Sequence, residues 1–212
     1  MSLTFIKLAH KTTAAAVFSS RRTWMQSLRC LTTGTTSWEG ARPVAGYNGA
    51  TALYRHEPTG QISFLDAAPI VPGSPTILGT LSAEHARFQE NPAFVQLLHA
   101  VLASVYLQDP HVRDLALSRK SADVDSYLHV LGTRAKDQFI NDRDPACIIF
   151  SFLAHCTTGL PIPNTYEPNP ALRLYTPLDG FLVLPPSLHH ALLRGCQVAR
   201  SIELQESPHS SK

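Results

Sequence analysis

One stretch of this chain carries a helical rhythm of apolar positions more clearly than any other. In "NPAFVQLLHAVLASVYLQDP", Phe94, Leu97, Leu98, Val101, Leu102 and Val105 recur at three- and four-residue steps, so one face of a helix is apolar. Asn91 is a good N-cap, Pro92 suits the first helical position, and Asp109-Pro110 closes the run. A second, polar helix is expected from His111 to Lys120. A third is expected over "SLHHALLRGCQVARSIEL", with Ser187 as its cap and Leu188, Leu192, Leu193, Cys196 and Val198 among its apolar residues.

Elsewhere the rhythm shortens to that of strands. "ATALYRH" (Ala50–His56) and "QISFLD" (Gln61–Asp66) flank "EPTG", which predicts a β-hairpin around a Pro/Gly turn. "LRLYT", "PLDG" and "FLVLP" predict a second hairpin. "SYLHVLG" (Ser126–Gly132) alternates like a strand, and "CIIFSFLAHC" (Cys147–Cys156) reads as a buried one. "AAPIVPGSPTILG" reads as extended and "TTGLPIPNTYEPNPA" as a long proline-rich loop. There is no internal repeat and no βαβα alternation. The expectation is an α+β fold with two hairpins and about three helices, one domain over residues 39–204, and a loose tail over 205–212.

Composition changes the picture mainly through where the charges lie. At 44% hydrophobic and 16% charged residues, the chain is too apolar to be disordered. No apolar run approaches the roughly 18–20 residues that span a bilayer. The net charge of +2 hides an asymmetry. Residues 1–38 carry Lys7, Lys11, Arg21, Arg22 and Arg29 and no acid; without those five, 13 bases face 16 acids, a net of −3. An acidic body opposes general nucleic-acid binding, which needs surplus Lys and Arg.

The basic, Ser/Thr-rich, acid-free segment has the composition of a mitochondrial transit peptide, with plastid targeting as the rival reading. Its end resembles the two-step cleavage pattern of matrix-imported precursors. Arg29 stands two residues before the first cut. The octapeptide Leu31-Thr32-Thr33-Gly34-Thr35-Thr36-Ser37-Trp38 has Leu31 first and Gly34 fourth, so the mature chain would begin at Glu39. A disordered polar tail is the plain alternative.

Candidate chemistry is scattered. The phosphate-cradling, dinucleotide, nucleophile-elbow and H-E-x-x-H motifs are all absent from the sequence. His129, in a predicted strand, is followed by a loop carrying Asp137, Asp142, Arg143 and Asp144. A histidine oriented by Asp142 or Asp144 can act as a general base, while a solvated turn is the plain reading. Cys147, His155, Cys156, His189, His190 and Cys196 are metal-ligand types, but their spacing is poor. Adjacent His155 and Cys156 would point to opposite faces of a strand. No metal and no cofactor are therefore expected. The four cysteines lack a C-x-x-C pair and read as reduced thiols. In "NTYEPNPALRLYTPLDG", Tyr166, Arg173 and Tyr175 can line a groove for a partner or ligand; a loop packed over the sheet is the alternative.

"SYLHVLGTRAKDQFINDRDPACIIFSF" followed by "YEPNPALRLYTPLDGFLVLP" resembles a family of short fungal mitochondrial proteins with no assigned activity. The matching positions are His129, Pro145, Tyr166, Pro168, Arg173, Leu174, Thr176, Asp179 and Gly180, within residues 126–185. The family's pattern has an Asp two residues after the His, where this chain has Leu131, which counts against a catalytic His129. The resemblance implies mitochondrial residence and supplies no reaction.

Three functional expectations follow. The leading one is a matrix protein without catalysis of its own, an accessory or assembly partner of a mitochondrial complex. The second is a small-metabolite enzyme with His129 as base, Asp142 or Asp144 orienting it, and Arg143 or Arg173 binding an anion. The third is a mitoribosome-associated protein.

Overall fold

The apolar face read from the helical rhythm is the one that anchors the fold. A computed structural model of the chain describes residues 40–82, 87–120, 123–134 and 144–206. In helix α1 (Pro92–Val105), Phe94, Leu98 and Leu102 are buried, one above another at four-residue spacing. Asn91 caps it: its Oδ1 accepts from the Ala93 N–H at 3.1 Å, and its Nδ2 donates to the carbonyls of Ser74 and Ile77 at 2.8 Å each. The cap thus ties the helix to the strand that begins at Ile77. Asn91→Ala is expected to cost about 2 kcal/mol, one cap and two partly buried bonds. The check is a urea midpoint; a loss below about 0.5 kcal/mol would contradict this role.

That strand belongs to a five-stranded antiparallel meander, β1 (Ala41–Pro43), β2 (Tyr54–His56), β3 (Gln61–Ser63), β4 (Ile77–Leu81) and β5 (Phe88–Glu90), paired in chain order. The first predicted hairpin is β2–β3, with Arg55 opposite Ile62 and Gly60 at φ +70° in the turn. The meander is larger than the hairpin expected from sequence, because "AAPIVPGSPTILG" contributes β4 rather than only extended chain. After α1 comes α2 (Pro110–Ser118), capped by Asp109.

The second half builds two three-stranded sheets. One has the order β6 (Ser126–Leu131), β8 (Ile148–Ala154), β9 (Glu167–Pro168); the other has β10 (Tyr175–Thr176), β11 (Gly180–Val183), β7 (Thr133–Arg134). All pairs are antiparallel. The proline-rich loop therefore includes a short strand, β9, paired with β8. The second predicted hairpin is β10–β11.

Helix α3 (Pro186–Glu206) closes the fold against α1. Gly195 leaves room for α1: a Cβ there would lie 2.5 Å from Val101 Cγ2. Ser187 is not the cap expected from sequence. It lies one residue inside the helix, and its hydroxyl donates to Asp109 Oδ1 at 3.1 Å, joining the starts of α2 and α3. The helix also runs two residues into the expected tail. The core of this α+β domain draws on every layer: Ile62 and Leu78, Phe94 and Leu98, Phe150 and Phe152, Leu182 and Leu188. No helix among the described residues is long and apolar enough to cross a membrane.

Candidate functional site

A single asparagine shapes the loop after β9. Asn169 Nδ2 donates to the carbonyls of Pro145 and Ile148 at 2.6 and 2.7 Å, while its Oδ1 accepts from the Ala171 N–H at 3.0 Å. Residues 168–174 are thereby bent back onto the turn that precedes β8. From the other side, Glu90 Oε1 accepts from the Leu174 N–H at 2.7 Å, so the end of the meander holds the same segment. Leu172 and Leu174 are buried and face the core, which leaves Pro168, Pro170 and Arg173 exposed.

Between this segment and α1 lies a cleft of about 250 Å³, lined by Glu90, Val95, His99, Pro168, Pro170 and Arg173 among others. Val95 and His99 are one helical turn apart and present one face. Behind the cleft, His99 Nδ1 and the Tyr166 hydroxyl are 2.8 Å apart. Burial lowers the His99 pKa and raises that of Tyr166, so both groups are neutral at pH 7. The phenol therefore donates, Nδ1 accepts, and the imidazole carries its proton on Nε2. Tyr166 itself stacks on Phe150 at 4.6 Å and packs on Tyr106 at 5.6 Å, so its ring anchors the loop to the core.

Of the groove residues expected from sequence, Arg173 lines the cleft, Tyr166 supports it through His99, and Tyr175 packs on Phe88 and Phe181 away from it. Glu90 and His99 were not singled out in the sequence. Each is unremarkable in its own element, and both share the cleft lining with Arg173 although more than seventy residues separate them from it. The Val95–His99 step on an otherwise apolar helix is the one local signal.

His129 is exposed on the outer face of β6, with its Nδ1 2.8 Å from Ser151 Oγ across the ladder and its ring edge-on to Tyr127 at 5.3 Å. Glu167, a carboxylate on that face, accepts a hydrogen bond from the Tyr127 hydroxyl. Asp144 is an N-cap: its Oδ1 accepts from the Ala146 N–H and its Oδ2 takes a weak bond from Cys147 Sγ. The partner of His129 is thus a serine, and Asp144 is committed to a turn. Asp137, Asp142 and Arg143 lie outside the described residues, as do Arg29, Leu31, Gly34 and Glu39.

The Cys/His set disperses. Cys147 and Cys196 are buried, burial pushing the Cys196 thiol up to about 12. His189 is fully buried in α3, whereas His190, the next residue, is exposed. His155 and Cys156 behave differently from the strand alternation expected of them. β8 ends at Ala154, so both residues stand in a turn where the two-face rule no longer applies.

The fold is an α+β domain with a small surface cleft between α1 and residues 168–174. Comparison with protein-family models, curated proteins and solved structures finds no match.

Proposed function

We propose that this protein is a non-catalytic accessory or assembly partner of a mitochondrial matrix complex, and that it grips a segment of its partner protein in the Pro168–Leu174 cleft. The supporting observation is the cleft itself. Its volume, about 250 Å³, falls below the roughly 300–1,000 Å³ typical of metabolite sites and suits one or two side chains. Its walls are prolines, Val95 and Leu172, with Arg173 and Glu90 as charged groups. Asn169 and Glu90 fix those walls before binding, which lowers the ordering cost of association.

The address rests on the leader: five bases, no acid and a matching two-step cleavage pattern before Glu39. The resemblance of residues 126–185 to short fungal mitochondrial proteins points the same way. Native-gel migration of the endogenous protein in mitochondrial extract tests the reading. The expected result is a position above that of the mature monomer. Migration solely as a monomer would count decisively against it.

A further inference from the structure

The ladder between β6 and β8 ends by bringing three different metal-ligand types together. Ser126 pairs with Ala154, so the residues just beyond, Asp125 on one side and His155-Cys156 on the other, are juxtaposed. One donor atom from each of Asp125, His155 and Cys156 lies within 4.8 Å of the other two. Asp125 and His155 are exposed and Cys156 is half-buried, so the cluster opens to solvent on one side.

We propose that Asp125, His155 and Cys156 form a zinc-binding site with an open fourth position. A carboxylate, an imidazole and a thiolate are the three donor classes that zinc takes, and three protein ligands plus one exchangeable position is the pattern of an open zinc site. Bond lengths of about 2.0–2.3 Å place tetrahedral ligand atoms roughly 3.3–3.8 Å apart. The cluster must therefore contract by at most about 1.5 Å, which side-chain rotations at an exposed turn supply.

The surroundings orient the ligands. Asp125 Oδ1 accepts from the Cys156 N–H at 2.8 Å, which holds the carboxylate at the site and leaves Oδ2 outside that bond. Hydrogen-bonded carboxylates of this kind are the usual supports of metal ligands. His155 Nδ1 faces the N–H groups of Thr157 and Thr158 at 3.3 and 3.5 Å and the Thr157 hydroxyl at 3.1 Å. These contacts are long, and they are the ones that binding through Nδ1 would displace.

The competing explanation is that Asp125 merely pins the ends of two strands through the Cys156 amide. Cobalt(II) substitution separates the two. Full-length, tag-free, reduced protein titrated with cobalt(II) should develop a thiolate-to-metal charge-transfer band that zinc then removes. Cys156→Ser should abolish the band. Asp125→Asn and His155→Asn retain acceptors for the Cys156 and Thr157 amides, so the turn survives. Each should weaken zinc binding about tenfold or more, with the far-ultraviolet circular dichroism unchanged. The proposal is overturned if the wild type shows no such band, if the band persists in Cys156→Ser, or if the two Asn variants bind zinc as tightly as the wild type.

Discussion

Arg134→Met is expected to destabilise the protein by about 3–5 kcal/mol, the largest single-residue effect in this fold. Arg134 is only 3% exposed, and its guanidinium donates to the carbonyls of Gly180, Ala146 and Arg173 at 3.2, 3.0 and 2.9 Å. It therefore joins β7 and the start of β11 to the turn before β8 and to the cleft segment. Methionine fills much of the same volume but donates nothing, so the change removes three charge-assisted bonds at once. A urea melt reads the loss, and hydrogen exchange at residues 172–174 should accelerate beyond what global destabilisation explains. Lysine at this position keeps the charge but lacks the fork that reaches three carbonyls, so Arg134→Lys should recover only part of the stability. A loss below about 1 kcal/mol in Arg134→Met would show that the guanidinium does not organise the cleft.

The second large effect is on acid stability. His189 is fully buried on α3, its Nε2 2.6 Å from Thr51 Oγ1 and its ring edge-on to Phe64 at 4.8 Å. Burial, with His190 beside it, lowers its pKa from 6.5 to about 4. The folded state thus keeps the ring neutral where the unfolded chain would protonate it. Stability is full above about pH 6.5, falls as pH drops through the window to about 4, and levels off below. At about 1.4 kcal/mol per pH unit, the total is about 3 kcal/mol. His56, lowered chiefly by burial, adds to the loss with the same sign. His189→Leu removes the titrating group. The stability difference between the two proteins should therefore change by about 3 kcal/mol between pH 7 and pH 4 in favour of the variant. Parallel curves would rule out His189 as the source.

What could be read from the sequence, and what could not, divides by how local the cause is. Asn91, Pro92 and the four-residue apolar stripe of α1 are local, and they fixed that helix correctly. The turns of both hairpins carry their own Pro and Gly signals, and those strands pair as expected. Four of the five meander strands are three residues long, too short for a period-2 pattern to register, and they exist because neighbours supply their partners. β4 hides in a run of prolines and glycines for the same reason.

The site was legible in part. Arg173 stands out as a cation in a proline-rich loop, but the position of Tyr175 depends on Phe88 and Phe181, which come from other elements. Arg134 sits in the polar string "TRAKDQF", where nothing marks it as buried. The strand rule applied to His155 and Cys156 failed because it assumed that β8 continued through them. Only the ladder's end, at Ala154, frees the two side chains to approach Asp125.

We propose that the Pro168–Leu174 cleft holds a partner protein in mitochondria. The most direct test is native-gel migration from mitochondrial extract, with wild type, Arg173→Glu and Arg113→Glu each expressed at the endogenous level. Arg173 lines the cleft, whereas Arg113 is an exposed residue of α2 outside it. Wild type and Arg113→Glu should migrate in an assembly larger than the mature monomer, and Arg173→Glu should shift to the monomer position. A wild type found only as monomer, or an Arg173→Glu protein that stays with the wild-type assembly, would contradict it.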